Sequence, residues 1–327
     1  MRRLHITQES WPIRGSFTIS RGAKREALVV VASISEDAYT GRGECVPYGR
    51  YGETVASVLA QIDALKARIE AGMTRTQLQD ACPAGAARNA LDCALWDLEA
   101  KRCGTPVWKL AGLAAPGTCV TAYTLSLDTP GAMGAAAASA AQFPVLKLKL
   151  GADAVIECVS AVHKASPQAK LILDANEAWD LALLLAVSPR LKALNAVLIE
   201  QPLPAGADDV LAGHKWPVPL CADESCHEID GLAQLRGKYG LINIKLDKTG
   251  GLTGALALAR AARDLGFGIL VGCMVSTSLA MAPAMLLAGL ADYVDLDGPL
   301  LLQQDRAGGL RSEAGGILHP PSPALWG

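Results

Sequence analysis

Beyond about Pro116-Gly117 the chain repeats one pattern, a short apolar run followed by a longer Ala- and Leu-rich stretch. The runs fall at 119–127, 145–150, 171–174, 196–200, 219–223, 241–247, 268–272 and 293–297. Near-continuous apolar strands alternating with helices predict a parallel sheet covered on both faces. Eight such strands predict closure into a barrel rather than an open sheet.

The first third reads differently. An apolar strand is predicted over 27–34, after the charged turn Arg21-Gly22-Ala23-Lys24-Arg25. Helices are predicted over about 57–70 and 86–102, the second from the 3.6-residue stripe of Leu91, Leu95, Trp96 and Leu98. Gly104-Thr105-Pro106 stops that helix. Strands followed by helices predict a small α+β domain over 1–115, ahead of the barrel over 116–305. The Gly- and Pro-rich tail, 306–327, shows no element and is expected to return and complete the first domain.

Composition narrows the functional classes. Thirty Lys and Arg oppose 32 Asp and Glu, a net charge of −2, so there is no one-signed field for nucleic acid or an acidic membrane. At 51% apolar residues the chain can bury a large core. No apolar run approaches membrane-spanning length, and the basic start lacks a signal-peptide apolar region. Nine cysteines without a C-x-x-C pair read as reduced, mostly buried thiols. These features predict a soluble cytoplasmic enzyme that binds neither nucleic acid nor membrane.

Charged residues close the apolar runs. Lys147 and Lys149 end the second, Asp174 the third, Glu200 the fourth and Asp223 the fifth; Lys245 lies in the sixth, and Asp295 and Asp297 end the eighth. From Lys149 the steps to Asp174, Glu200, Asp223 and Lys245 are 25, 26, 23 and 22 residues. One βα unit has about that length, so these groups recur at one level of the barrel, its C-terminal mouth. Charges on solvated helices would not track the strand period.

Residue type then suggests chemistry. Asp174, Glu200 and Asp223 offer three hard oxygen ligands from adjacent strands with no His or Cys among them, a set suited to Mg²⁺ or Mn²⁺. Lys149 and Lys245 flank the triplet, as two bases would flank the carbon beside a metal-bound carboxylate. Repulsion from Lys147, two residues away on the same strand face, is expected to lower the pKa of Lys149, with the cation adding to it. A Schiff-base aldolase is the other lysine chemistry of barrels, but it needs no carboxylate triplet.

At these residues the sequence resembles the enolase superfamily, in its muconate-lactonizing subgroup. The resemblance spans essentially the whole chain. It is carried by the segment 86–98, by Lys147-x-Lys149, Asp174-Ala-Asn176, Ile199-Glu-Gln-Pro202 and Ala222-Asp-Glu-Ser225, and by Asn243-Ile-Lys245 through Gly251. It implies an α/β fold, a (β/α)7β TIM-like barrel under an N-terminal α+β capping domain. Within the superfamily the chain is most similar to the L-Ala-D/L-Glu dipeptide epimerases, marked by Asp295-Leu-Asp297. An α-ammonium suits such a carboxylate pair, and residues i and i+2 of a strand face one pocket.

The resemblance implies that Lys149 and Lys245 are the two bases, that Asp174, Glu200 and Asp223 hold one Mg²⁺, and that a metal-stabilised enediolate forms. It further implies substrate contacts from Thr124, Lys147, Asp295 and Asp297, with Cys273 and Met274 lining the pocket. In glutamate-specific members a cap-loop arginine meets the γ-carboxylate; here Lys24 takes that position, with Arg25 beside it. Lysine keeps the charge and loses the bidentate fork. The implied partner is a small dipeptide, which points to murein-peptide metabolism, and family barrels are often homo-oligomers. Competing readings are N-acylamino acid racemisation, o-succinylbenzoate synthesis or cycloisomerisation, whose substrates lack a free ammonium. A catalytically dead binding protein would have lost a base or a ligand, and all five are present.

Overall fold

The structure, a computed structural model, describes residues 1–327. Its N-terminal part is a three-stranded antiparallel sheet of β1 (Arg2–Ile19), β2 (Gly22–Glu36) and β3 (Tyr39–Cys45), followed by helices α1 (Val55–Glu70), α2 (Arg75–Ala81) and α3 (Ala86–Cys103). Thr54 and Ser57 form a reciprocal capping box that starts α1. Gly104, with φ 63°, closes α3. Helix α3 lies against β3 so closely that a Cβ at Gly41 or Gly43 would meet the backbone of Ala94 or Ala90. Its buried side chains join those of the sheet and α1 in a separate core of 19 residues.

The remaining chain holds β4 (Cys119–Val120), β5 (Tyr123–Leu125), β6 (Val145–Lys149), β7 (Lys170–Asp174), β8 (Ala196–Glu200), β9 (Leu220–Ala222), β10 (Leu241–Ile244), β11 (Gly268–Val271) and β12 (Tyr293–Val294). Strands β5 to β12 form one parallel sheet in sequence order. Its ends meet where the Ala122 N–H donates to the Val294 carbonyl at 2.8 Å and the Leu296 N–H to Thr121 Oγ1 at 2.8 Å. The expected barrel is therefore present.

Strand parity divides each run in two. Leu146 and Leu148 on β6, Leu171 and Leu173 on β7, and Ile242 and Ile244 on β10 join the large core between strands and helices. Ile172, Leu198, Cys221, Leu241 and Leu270 fill the barrel interior with Ala122. Two residues further along the interior face of β7, β8 and β9 come Asp174, Glu200 and Asp223. The interior is thus apolar at the bottom and ionic at the mouth.

Several expectations are corrected. The run 119–127 is not one strand: β4 leaves the barrel to pair with the tail, and only β5 enters it. The run 241–247 ends as a strand at Ile244, and Leu246–Thr249 forms a helical turn. Strand β12 stops at Val294, so Asp295 and Asp297 lie past it, and strand parity does not place them. The tail has elements after all, a hairpin of β13 (Ser312–Glu313) and β14 (Ile317–Leu318) beside β4. The tail meets the first domain at both ends: Arg306 pairs with Glu9 and Glu44, Trp326 Nε1 donates to the Cys93 carbonyl, and the Gly327 N–H donates to Asp97. All nine cysteines are free thiols. No helix is long and apolar enough to cross a membrane.

Candidate active site

A cavity of about 740 Å³ opens between the barrel mouth and the N-terminal domain. Lys147, Lys149, Asp223, Lys245, Thr124, Cys273, Met274, Asp295 and Asp297 line it from the barrel, and Phe17, Lys24, Arg25 and Tyr48 from the cap. Asp174 and Glu200 are fully buried beneath this lining. The strand-end residues singled out from sequence thus come together in one place.

Geometry links most of them into two ionic clusters, one around Lys147 and one around Asp223. Lys147 Nζ lies 3.2 Å from Asp174, 2.8 Å from Glu200 and 2.7 Å from Asp295. Lys149 Nζ donates to Asp174 Oδ2 at 2.5 Å, and Lys245 Nζ to Asp223 Oδ2 at 2.7 Å. Because β6 and β10 are four places apart in an eight-stranded barrel, Lys149 and Lys245 face the cavity from opposite sides. Asp297 Oδ2 accepts the Thr124 N–H at 2.6 Å.

The charges shape one another. Burial disfavours ionisation of Asp174, yet Lys149 and Lys147 bring its pKa down to about 2. Burial likewise opposes the charge on Lys147, and Asp295, Glu200 and Asp174 outweigh it, holding this ammonium well above the ordinary lysine range. Lys245 is raised in the same way, against burial, by Asp223 and Glu200. Lys147 and Lys149 share one carboxylate, that of Asp174. Burial and the repulsion of Asp295 push Asp297 up to about 7, against the Thr124 hydrogen bond.

Asp174, Glu200 and Asp223 are the residues able to hold a divalent ion. Asp174 pairs with Glu200 in register, Glu200 pairs with Cys221, and the donors are all hard oxygens. Glu200 Oε2 has no hydrogen-bond partner despite the nearby Lys147 ammonium. As the side chains stand, no three His, Cys, Asp or Glu groups form a cluster that would hold a metal. Lys147 sits as a cation between two of the three, 3.2 Å from Asp174 and 2.8 Å from Glu200. The donor set fits Mg²⁺.

A further layer of polar side chains holds these groups. Lys248, fully buried, donates to Asp223 Oδ1 at 2.7 Å and to the Asp223 and Asn243 carbonyls. Asn243 Nδ2 donates to Glu200 Oε1 at 2.7 Å, and a Cβ at Gly272 would collide with the Asn243 amide. Gln201 Oε1 accepts the backbone N–H of Asp223 and of Ser225. Arg21 and Arg50 reach the barrel mouth from the cap at Glu177 and Glu224. Only the polar motifs after each strand hinted at these roles.

Comparison with known proteins agrees with this architecture. Residues 1–112 match the mandelate racemase / muconate lactonizing enzyme N-terminal domain, and residues 132–323 the enolase C-terminal domain-like family. The chain is 47% identical to the L-Ala-D/L-Glu epimerase of Escherichia coli (strain K12), over 93% of this chain and 96% of that one. It is also 47% identical to an N-acetyl-D-glutamate racemase of a Pseudoalteromonas species, over 91% and 95%. Among solved structures, an enolase family member from Agrobacterium tumefaciens with bound sodium and L-Ala-L-Glu superposes with a TM-score of 0.98, at 50% identity over 100% of both chains. A dipeptide epimerase from Enterococcus faecalis, complexed with Mg and L-Leu-L-Tyr, gives a TM-score of 0.89 at 28% identity, covering 97% and 96%. With both of its parts matched, and a barrel mouth of alternating lysines and carboxylates between them, the chain belongs to the mandelate racemase / muconate lactonizing enzyme family of the enolase superfamily.

Proposed function

We propose that the chain is a Mg²⁺-dependent isomerase, a dipeptide epimerase that interconverts L-Ala-L-Glu and L-Ala-D-Glu or related dipeptides. The observation that carries this reading is the placement of Lys149 and Lys245 on opposite sides of one cavity, with carboxylates between them. A lysine on one side removes the α-proton of the C-terminal residue, and the lysine on the other delivers a proton to the opposite face. One lysine starts neutral and the other protonated, and the two exchange roles in the reverse direction. Asp174, Glu200 and Asp223 would hold Mg²⁺, whose charge would stabilise the substrate carboxylate as the α-carbon loses its proton.

Asp295 and Asp297 would receive the dipeptide's ammonium; Asp295 Oδ1 is buried without a partner, which suits an incoming donor. Lys147 and Thr124 border that end, and Cys273 and Met274 form wall. Lys24 and Arg25, at the start of β2, supply positive charge to an acidic side chain. The E. coli relative and the A. tumefaciens complex support the dipeptide, and the E. faecalis complex supports Mg²⁺. That substrate points to murein-peptide metabolism in the cytoplasm. The division of labour is a cap of 1–115, completed by 306–327, over a barrel of 116–305.

The Pseudoalteromonas relative favours a second reading, racemisation of an N-acylated glutamate. A blocked nitrogen would leave Asp295 and Asp297 without a cation to meet. ¹H NMR in D₂O separates the two. With Mg²⁺ and L-Ala-L-Glu, loss of the glutamate α-proton signal and growth of the L,D diastereomer is the expected result. Exchange of N-acetylglutamate alone would overturn the dipeptide reading.

A further inference from the structure

We propose that Arg21 is a positioning residue that fastens the β1–β2 turn to the barrel mouth and, through Tyr48, sets the ammonium of Lys24 over the substrate cavity. The inference rests on the dipeptide reading for its substrate.

Arg21 sits at the turn between β1 and β2, which reaches the segments that follow β7 and β9. Its Nη1 donates to the Asn176 carbonyl at 2.8 Å and to Glu177 at 3.1 Å. Its Nη2 donates to Glu224 Oε1 at 2.8 Å and to Tyr48 Oη at 3.1 Å. Ser20, its neighbour, donates from Oγ to the same Asn176 carbonyl at 3.2 Å. Three separate segments therefore converge on one guanidinium. Two of them directly follow Asp174 and Asp223.

The acceptors are held in place independently. Asn176 and Glu177 adopt left-handed backbone, φ 45° and 69°, which turns the Asn176 carbonyl toward the cap. Glu177 is gripped by Nε and Nη2 of Arg50 at 2.7 Å and by the Ala205 N–H. The Glu224 side chain is 1% exposed, so a charge there demands a partner. With both terminal nitrogens committed to protein, Arg21 is not the cation that meets the substrate.

Lys24 is that cation, and it depends on the same contact. Its Nζ stands 5.3 Å from the centre of the Tyr48 ring, a cation–π arrangement. Tyr48 is oriented by the hydrogen bond from Arg21. Arg21 therefore fixes both the backbone that carries Lys24 and the ring that receives it. A flexible ammonium needs such preorganisation more than a forked guanidinium does.

The test uses the full-length protein with Mg²⁺ and four variants: Arg21→Met, Arg21→Lys, Lys24→Met and Arg21→Met/Glu224→Gln. For Arg21→Met, KM for L-Ala-L-Glu should rise about 10-fold or more while kcat stays within about 3-fold, the signature of lost positioning rather than lost chemistry. KM for L-Ala-L-Leu should change much less, and Lys24→Met should share this selectivity. Arg21→Lys should fall between wild type and Arg21→Met. The double variant, which removes the unpaired Glu224 charge, should not restore KM; restoration would reduce Arg21 to a counter-charge and overturn the proposal. Hydrogen exchange over residues 17–25 without substrate should be faster in Arg21→Met, and unchanged exchange would also overturn it. That measurement needs no dipeptide, so a wild-type protein inactive on every dipeptide would refute the functional reading and leave the clasp to be decided by exchange.

Discussion

Lys248 holds Asp223 at two points, 2.7 Å from its Oδ1 and 2.6 Å from its carbonyl oxygen. The grip orients a proposed metal ligand from outside the substrate cavity. Because Lys248 is completely buried, Lys248→Met leaves Asp223 Oδ1 and the Asn243 carbonyl without their ammonium, although Lys245 still meets Asp223 Oδ2. Breaking such a pair costs about 3–5 kcal/mol. Denaturant unfolding should show that loss, and a variant as stable as wild type would contradict the structural role.

Lys149 and Lys245 should be separable by isotope. Lys149→Ala and Lys245→Ala should each abolish epimerisation, with kcat reduced by at least about 10²–10⁴-fold. Each should still exchange the α-proton of one diastereomer in D₂O, and the two variants should differ in which one. Exchange of the same diastereomer by both would remove the two-sided arrangement.

Chelation should stop the reaction. EDTA-treated protein should lose activity and regain it with Mg²⁺, and Glu200→Gln should bind Mg²⁺ more weakly by calorimetry. Lys147→Met should bind the ion more tightly in the absence of substrate, because the ammonium shared by Asp174 and Glu200 is gone. Equal affinity in that variant would mean Lys147 does not compete.

Asp247 links the two domains, accepting from the Val46 N–H at 3.0 Å and from Asn89 at 2.8 Å. Burial pushes its pKa up to about 7 from an ordinary 3.8, against those hydrogen bonds. Between these values the folded chain keeps a proton that the unfolded chain gives up, so stability falls as pH rises from about 4 to about 7 and is flat beyond. Asp247→Asn mimics the protonated carboxyl. Its advantage over wild type in thermal unfolding should be absent near pH 4 and full near pH 8; a difference independent of pH would refute the assignment.

The barrel and its ionic mouth were legible in the sequence because strand period and charge coincide. Asp174, Glu200 and Asp223 follow apolar runs whose alternate residues must face the interior, so their level in the barrel was forced by spacing. What escaped depends on contacts between distant segments. β1 was overlooked because most of its 18 residues are exposed or half-exposed and no clean alternation survives. Strand ends at Val294 and Ile244 were overrun because Leu246 and Leu296, each between polar neighbours, continue a strand-like alternation past them. Arg21 looked like one more surface charge in a basic turn, since only the folded cap brings it to Asn176 and Glu224.

The seam where β5 meets β12 carries a last implication. The hydrogen bond between Thr124 and Asp297 belongs to that seam as well as to the pocket. Asp295 has an oxygen to spare, whereas Asp297 is spent partly on closing the cylinder. Changes of substrate preference at Asp295 must therefore keep a partner for the buried Lys147 ammonium. At Asp297 they must be accompanied by a replacement stitch for the Thr124 amide.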